Sequence, residues 1–431
     1  MFAEFLAAIL HRTESDLLVK TRMASIVMSV FSTILWSSVP VAAADISFKP
    51  FVAVSEEITD NIYELSTGNR SEITTRIKPG ATLRYQSPFW TWDTAYTFEY
   101  RNYARNSKGN EYNHDIAVKG NLALVDNFLL LDLSDTYRRV SLDVARDAAA
   151  ESSLFLNQTD QNIATVSPYL FWRFRDDNTL KTGYRFTDTR YWDQNGIEKQ
   201  EHRGFADLTR EVSSRFSLTS GYAFTRLESL PTQFNKHDLG GGFKYEYADK
   251  SFATGQVGNS WQQFDSGIDV SYLFWNAAVI HDFSFAVATL ETKVAAKEDP
   301  LAVSTKETSY SGKVEKIFQR GMFGFSSTYS DFVNTATNRR ENRKLGFTAS
   351  GSYEVIQDLT ANLTATGERF SRKTAADYPY RLTGKLGAGY ALSNDITLSL
   401  SYSYVTNLYA LDSTEGSKDI NKVVIEMKKA F

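Results

Sequence analysis

The chain has 431 residues and no cysteine, and its 47 basic and 51 acidic residues give a formal net charge of −4. The absence of cysteine excludes a cysteine-anchored lipoprotein, a c-type haem protein, an iron–sulfur protein, a Cys-ligated zinc protein and a disulfide scaffold. The near balance of charge creates no overall basic field, so we expect no nucleic-acid partner.

Residues 1–44 predict a signal peptide. Lys20 and Arg22 precede the apolar run Ala24–Trp36, and a small-residue cleavage site ends at Ala44. A positive segment, a short apolar core and an A-x-A site are typical of export signals. The run has 13 residues, whereas a membrane-spanning helix needs about 20. We therefore expect cleavage after Ala44 and export of the remaining chain.

From Ile46 to the end of the chain, apolar and polar residues alternate with a period of two. In the segment Trp90–Arg101 the even positions are mostly large and aromatic, and the odd ones are small, hydroxylic or charged. In a β-strand these two sets point to opposite faces. The pattern recurs at 215–229, 340–355 and 395–408, so we interpret the whole region as long amphipathic strands.

About twenty such segments follow one another, and their connections alternate between short turns and longer loops. Strands of about 12 residues, tilted by about 45°, span the hydrocarbon core of a bilayer. Because backbone groups in lipid must all be paired, such a sheet has to close. The sequence predicts an all-β fold in which residues 45–431 form one closed antiparallel transmembrane β-barrel of about 20 strands (18–22). Short periplasmic turns and long external loops are typical of the Gram-negative outer membrane.

Aromatic residues near the predicted strand ends fit a position in the lipid headgroup zone. They are Trp90, Trp92, Phe128, Tyr378, Tyr380, Tyr402 and Tyr404. The chain ends at Phe431, preceded at alternate positions by Met427, Ile425 and Val423, although Lys429 interrupts this apolar series. This ending resembles the C-terminal signal that the barrel-assembly machinery reads, so we expect Phe431 to act as an assembly signal.

The polar face predicts the lining of the lumen. The candidates are Arg76, Lys78, Arg84, Asp93, Glu99, Arg101, Lys313, Glu315, Arg381 and Lys385. They offer a polar track for a charged or sugar-like solute; the alternative is a solvated face with cross-strand ion pairs. Neither sign dominates, so we expect no strong ion selectivity. Because no globular plug precedes Ile46, narrowing has to come from infolded loops or long side chains.

An enzymatic role finds no support in the sequence. The histidines after the signal peptide, His114, His202, His237 and His281, lie in no nucleophile or zinc motif. We expect no catalytic site, no metal site and no cofactor. The run Gly240–Gly242 fits no phosphate loop, and we interpret it as a bend or bulge in the barrel wall.

Three short motifs near the start of the barrel carry a resemblance to a known family. They are E-x-x-x-D-N-I-Y at Glu56–Tyr63, Pro79-Gly80, and Y-x-x-x-x-R-x-Y from Tyr96 through Arg101 to Tyr103. They resemble a family of large outer-membrane β-barrels that accompany PEP-CTERM/exosortase-type exopolysaccharide gene sets, with porin-like relatives. The resemblance implies an outer-membrane protein associated with surface polysaccharide, and it carries no residue roles.

We therefore expect a porin-like channel or export conduit for a hydrophilic solute or polysaccharide. One alternative is a non-conducting structural or surface-binding barrel whose loops 58–70 and 142–157 contact polysaccharide or a protein. Another is a sheath around an electron-transfer partner. The expected partners are outer-membrane lipid, the barrel-assembly machinery, and surface polysaccharide or periplasmic proteins.

Overall fold

The structure is a computed structural model that describes residues 44–146, 158–175, 177–230, 232–371, 378–392, 395–411 and 416–431. The predicted signal peptide, apart from Ala44, lies outside the described residues. Within them every long regular element is a β-strand. The twenty strands are β1 (Asp45–Thr59), β2 (Glu72–Gln86), β3 (Trp90–Tyr103), β4 (Glu111–Val125), β5 (Leu129–Ser141), β6 (Gln158–Phe174), β7 (Asn178–Tyr191), β8 (Lys199–Ser213), β9 (Phe216–Ser229), β10 (Phe234–Ala248), β11 (Ser251–Phe264), β12 (Asp269–Asp282), β13 (Val287–Lys297), β14 (Thr305–Phe318), β15 (Gly321–Asn334), β16 (Arg339–Ile356), β17 (Leu359–Phe370), β18 (Tyr380–Leu392), β19 (Ile396–Leu408) and β20 (Lys418–Ala430).

The twenty strands form one closed sheet. Each strand pairs antiparallel with the next in the chain, and β1 pairs in addition with β20, from Phe51 opposite Ala430 to Thr59 opposite Lys422. This last pairing removes both edges of the sheet, which is the only arrangement that satisfies every wall strand's backbone in lipid. The predicted all-β closed antiparallel barrel of about 20 strands is confirmed.

The two faces of the barrel wall have opposite character. On β1, Val54 and Ile58 are 39% and 49% exposed, whereas Ser55 and Glu57 between them are 2% and 1% exposed. We call the face with exposed apolar side chains the outer face and the other the interior face. This polarity is the reverse of a soluble protein, and it follows directly from the period of two. Among the described residues, no helix has the length and apolar character that a membrane crossing requires.

Turns and loops separate to opposite ends of the barrel. Several short turns contain a non-glycine residue with positive φ, among them Asn127, Asp358 and Asp395. Asn and Asp adopt this left-handed conformation at low cost, which permits tight reversals. Strand β1 begins and strand β20 ends at this short-turn end. The longer connections, such as 60–71 and 298–304, lie at the long-loop end.

The glycine run on β10 forms no β-bulge, so that part of the sequence prediction is wrong. Gly240 and Gly241 pair regularly with Gly221 and Ser220, and the register shift on this strand falls later, after Glu246. A Cβ on Gly240 would stand 2.9 Å from the ring of Phe274. The missing side chain therefore makes room for an aromatic ring on the interior face rather than for a bulge.

The C-terminal residue provides a test of the assembly signal. The Phe431 amide donates to the Pro50 carbonyl at 3.0 Å, while its side chain is 70% exposed. We expect Phe431→Ala to lower the amount of folded barrel in cells but to change the stability of the purified barrel by less than about 1 kcal/mol, because the ring is mostly exposed and faces Lys429 at 5.6 Å from its centre. Heat-modifiable migration on gels measures the folded fraction. Phe285→Ala, which removes another exposed ring at the short-turn end, is the control; equal folded fractions in cells would contradict the signal.

Candidate functional site

The barrel interior is the candidate site, and all ten predicted lumen residues occupy interior-face positions. They are Arg76, Lys78 and Arg84 on β2, Asp93, Glu99 and Arg101 on β3, Lys313 and Glu315 on β14, and Arg381 and Lys385 on β18. On β2 and β3 the structure brings Arg76, Glu99 and Arg101 together, whereas Arg84 and Asp93 form a separate pair nearer the short-turn end, and Lys78 pairs with Glu426 of β20. Lys313 and Glu315 form a separate pair at 2.8 Å, and the two on β18 lie in a third sector. The ten therefore do not form one site.

A buried ion-pair network lies on the interior face where the barrel closes. The Arg76 guanidinium donates to the Glu57 carboxylate and stands 3.7 Å from Glu99. Arg101 donates to Glu99 from Nε at 3.0 Å. All four side chains are nine-tenths or so buried. Charges this deep require partners, because an isolated buried charge costs several kcal/mol.

The network continues across the seam between the first and last strands. The Lys422 ammonium of β20 lies 3.8 Å from Glu57 of β1, and Lys78 of β2 lies 3.3 Å from Glu426 of β20. Glu57 and Lys422 are not among the lumen residues predicted from the sequence. The alternation along β1 and β20 nevertheless places both on the interior face, as it does for the predicted residues of β2 and β3.

The start of the loop that follows β1 is itself buried. Asn61 and Ile62 have no exposed surface, and Ile62 packs against Tyr103. The Asn61 amide donates to the Leu65 carbonyl at 2.7 Å and to the Asp419 carbonyl at 2.9 Å. The start of loop 58–70 is thus part of the folded interior, and only its later residues remain on the surface.

A second loop, 298–304, folds inward between β13 and β14; we call it the inner loop. Its Val303 packs against Leu227, Phe234 and Phe264 on the interior face of β9–β11. The first part of β13 pairs with β12, but this pairing ends at Val294. At the long-loop end, the β13–β14 hairpin is therefore not paired with β12. This part of the hairpin can lean into the lumen.

Polar contacts anchor the inner loop to strands β7 and β8. The Lys199 ammonium donates to Glu298 Oε1 at 2.5 Å and to the Asp299 carbonyl at 2.7 Å. The Tyr191 hydroxyl donates to the same Glu298 oxygen at 2.7 Å. Because these partners belong to β7 and β8, about six strands away, the loop crosses a large part of the lumen.

A third loop crosses the full width of the barrel. The Asn342 amide of β16 donates to both carboxylate oxygens of Asp143, at 3.2 and 3.1 Å, and the Arg146 guanidinium lies 4.3 Å from the centre of the Phe370 ring. These loop residues follow β5, which faces β16 across the barrel. The rest of loop 142–157, from residue 147, lies outside the described residues.

Below these loops the interior retains a polar cavity of about 530 Å³. Its charged lining consists of Asp93, Lys119, Asp132, Arg185 and Glu201. Hydroxyl and amide groups complete the wall: Thr91, Asn121, Ser134, Thr165, Ser167 and Thr187. Donors and acceptors of both charge signs alternate here, which suits a solute with many hydroxyl groups better than a simple ion.

The four histidines of the barrel lie on the outer face, each beside a tyrosine hydroxyl. The oxygen-to-Nδ1 distances are 3.0 Å for Tyr96 and His114, 2.5 Å for Tyr184 and His202, 2.8 Å for Tyr222 and His237, and 3.0 Å for Tyr247 and His281. In the part of the chain that the structure describes, no three His, Cys, Asp or Glu side chains are placed to hold a metal ion. The absence of enzymatic activity stays a prediction.

Comparisons with known proteins agree with the architecture. A ferric enterobactin receptor mutant from Pseudomonas aeruginosa matches with a TM-score of 0.53 and 9% identity, over 89% of this chain and 80% of that chain. The FrpB iron transporter from Neisseria meningitidis matches with a TM-score of 0.52 and 9% identity, over 89% and 82%. At such identities the likeness shows the fold alone, an outer-membrane β-barrel. No protein-family model and no curated protein sequence matches the chain.

The buried ion-pair network should contribute to the stability of the barrel. We expect Arg76→Ala to lower the free energy of unfolding by about 3–5 kcal/mol, because the buried carboxylates of Glu57 and Glu99 lose the guanidinium that they share. Urea unfolding of the barrel in lipid vesicles measures the change. Arg84→Ala is the matched control on the same strand: its partner Asp93 lies 3.5 Å away and both side chains are more than half exposed. This control should cost less than about 1 kcal/mol; equal losses would refute a special role for the network.

Proposed function

We propose that the protein is a porin-like channel or export conduit in the outer membrane of a Gram-negative bacterium, which passes a hydrophilic solute or polysaccharide. The closed wall with its apolar outer face supports a place in lipid. The likeness in fold to an outer-membrane receptor and an iron transporter supports the same place. Neither likeness names a solute for this chain.

The observation that carries the proposal is the polar cavity on β3–β8. It lies against the interior face of six consecutive strands, and its lining mixes carboxylates, basic groups, hydroxyls and amides. A neutral, hydroxyl-rich chain can exchange hydrogen bonds along such a lining without meeting one dominant charge. A polysaccharide substrate rests in addition on the family resemblance of the first strands, from Glu56 to Tyr103.

The inner loop would set the width of the passage. Val303 is buried among apolar rings, so Val303→Asp would place an unpaired carboxylate there at a cost of several kcal/mol. We expect the loop to leave the wall and the single-channel conductance in planar bilayers to rise several-fold. Heat-modifiable migration checks that the variant barrel has folded.

Leu301→Asp is the control on the same loop, because the Leu301 side chain is 47% exposed. It adds the same charge without breaking a packed contact, so the conductance should stay near that of the unaltered barrel. An identical rise in both variants would show that charge, and not loop packing, controls the current.

A second function is favoured by the three inward-folded loops, which cover much of the long-loop end. On this reading the barrel conducts nothing and serves as a structural or surface-binding protein. Electrically silent bilayers for both the unaltered barrel and Val303→Asp would favour it over the conduit, and retention on immobilised polysaccharide would then test the binding role. Co-purification with a haem protein would instead favour the sheath for an electron-transfer partner.

A further inference from the structure

A cluster of three arginines lies on the outer face at the long-loop end of β15–β17. We call Arg340, Arg343 and Arg369 the arginine patch. Arg343 stands opposite Asp331, and Arg369 stands opposite Leu345, both in the outer-face register. In an outer membrane this level of the wall meets the headgroups of the outer leaflet.

The patch carries more positive charge than its neighbours neutralise. Arg340 donates to Asp331 from Nε at 2.8 Å, and Arg343 lies 3.7 Å from the same carboxylate oxygen. Arg369 instead faces the Tyr380 ring at 5.7 Å from its centre. Within the described ranges, Asp331 is the one acid that forms an ion pair with these three arginines, which leaves a net charge of about +2.

Other outer-face arginines at the same end do not show this excess. Each has a carboxylate of its own: Arg139 pairs with Asp160 at 2.7 Å, Arg190 with Asp188 at 2.7 Å, and Arg226 with Asp265 at 3.0 Å. The patch therefore differs from the other outer-face arginines of the described strands at this end. Since those arginines each have a carboxylate partner, the excess charge of the patch suggests an anion from outside the chain.

A cavity of about 780 Å³ opens directly beside two of these arginines. Arg343 and Arg369 line it together with three tyrosines, Tyr329, Tyr380 and Tyr409, and the apolar side chains of Leu345 and Leu411. Guanidinium groups bind phosphate through paired hydrogen bonds, and tyrosines favour the boundary between headgroups and acyl chains. The cavity thus combines groups for a phosphate with a surface for the apolar part of the same molecule.

We propose that the cavity at Arg343 and Arg369 binds the phosphate of a phosphorylated glycolipid in the outer leaflet. The two guanidinium groups hold the phosphate, and the tyrosine and leucine side chains contact the sugar and the upper acyl chains. Arg340 donates two hydrogen bonds to the Asp331 carboxylate. Asp331 is thereby neutralised by Arg340, and the charge of Arg343 remains for the phosphate. This proposal rests on the position of the barrel in the outer membrane and not on what passes through its lumen.

The test uses the full barrel in detergent with bisphosphorylated lipid A as the probe, and native mass spectrometry measures the bound fraction. We expect Arg343→Gln combined with Arg369→Gln to weaken lipid A binding at least tenfold. Arg369→Gln alone should weaken it in part, and it breaks no ion pair, so it remains informative if the double variant does not fold. Arg226→Gln is the control on the same rim and should leave binding unchanged.

Two further probes identify the source of the phosphate. Lipid A stripped of its phosphates should bind weakly to the unaltered barrel, and inorganic phosphate at millimolar concentration should not displace lipid A. Equal binding of the stripped lipid, displacement by inorganic phosphate, or equal losses in the patch and control variants would each overturn the proposal. Single-channel conductance of Arg369→Gln should match the unaltered barrel, which separates this result from a failure of the conduit.

Discussion

The structure depends on one constraint: every backbone N–H and C=O group of the wall must find a partner without water. In a sheet this condition is met only by closure, and closure joins the first strand to the last. The joint between β1 and β20 has nine residue pairs, whereas β1 and β2 share fifteen. The short joint is reinforced from inside, because Glu57–Lys422 and Lys78–Glu426 connect both sides of it. The buried network thus stabilises a closure that has fewer residue pairs than the β1–β2 pairing beside it.

The interior combines two requirements that oppose each other. Polar side chains on the interior face need either water or partners, and near the closure charged side chains of neighbouring strands are partners for one another, as Glu57 and Glu99 are for Arg76. On β3–β8 a polar cavity remains. The inner loop and residues 143–146 narrow the long-loop end with apolar anchors, Val303 among them. Passage through this interior would depend on how readily those anchors release.

The outer face shows how the chain adapts to the layers of a bilayer. Leu, Val and Phe side chains lie exposed along the middle of the strands, while tyrosines paired with histidines and arginines paired with carboxylates lie on the same face. Such pairing lowers the cost of placing polar groups close to lipid. The arginine patch on β15–β17 is the exception that suggests an external anion.

The sequence by itself determined the strand number, the two faces and the interior placement of all ten lumen candidates, because a period of two is a local property of the backbone. It did not reveal that Glu57 meets Lys422, or that Val303 packs against Phe234, since both contacts depend on how the barrel closes and on where a loop folds. The predicted bulge at Gly240 was wrong for the same reason: only the tertiary structure brings the Phe274 ring over that position. Alternation specifies which face a side chain occupies, whereas closure and stagger decide which side chains meet.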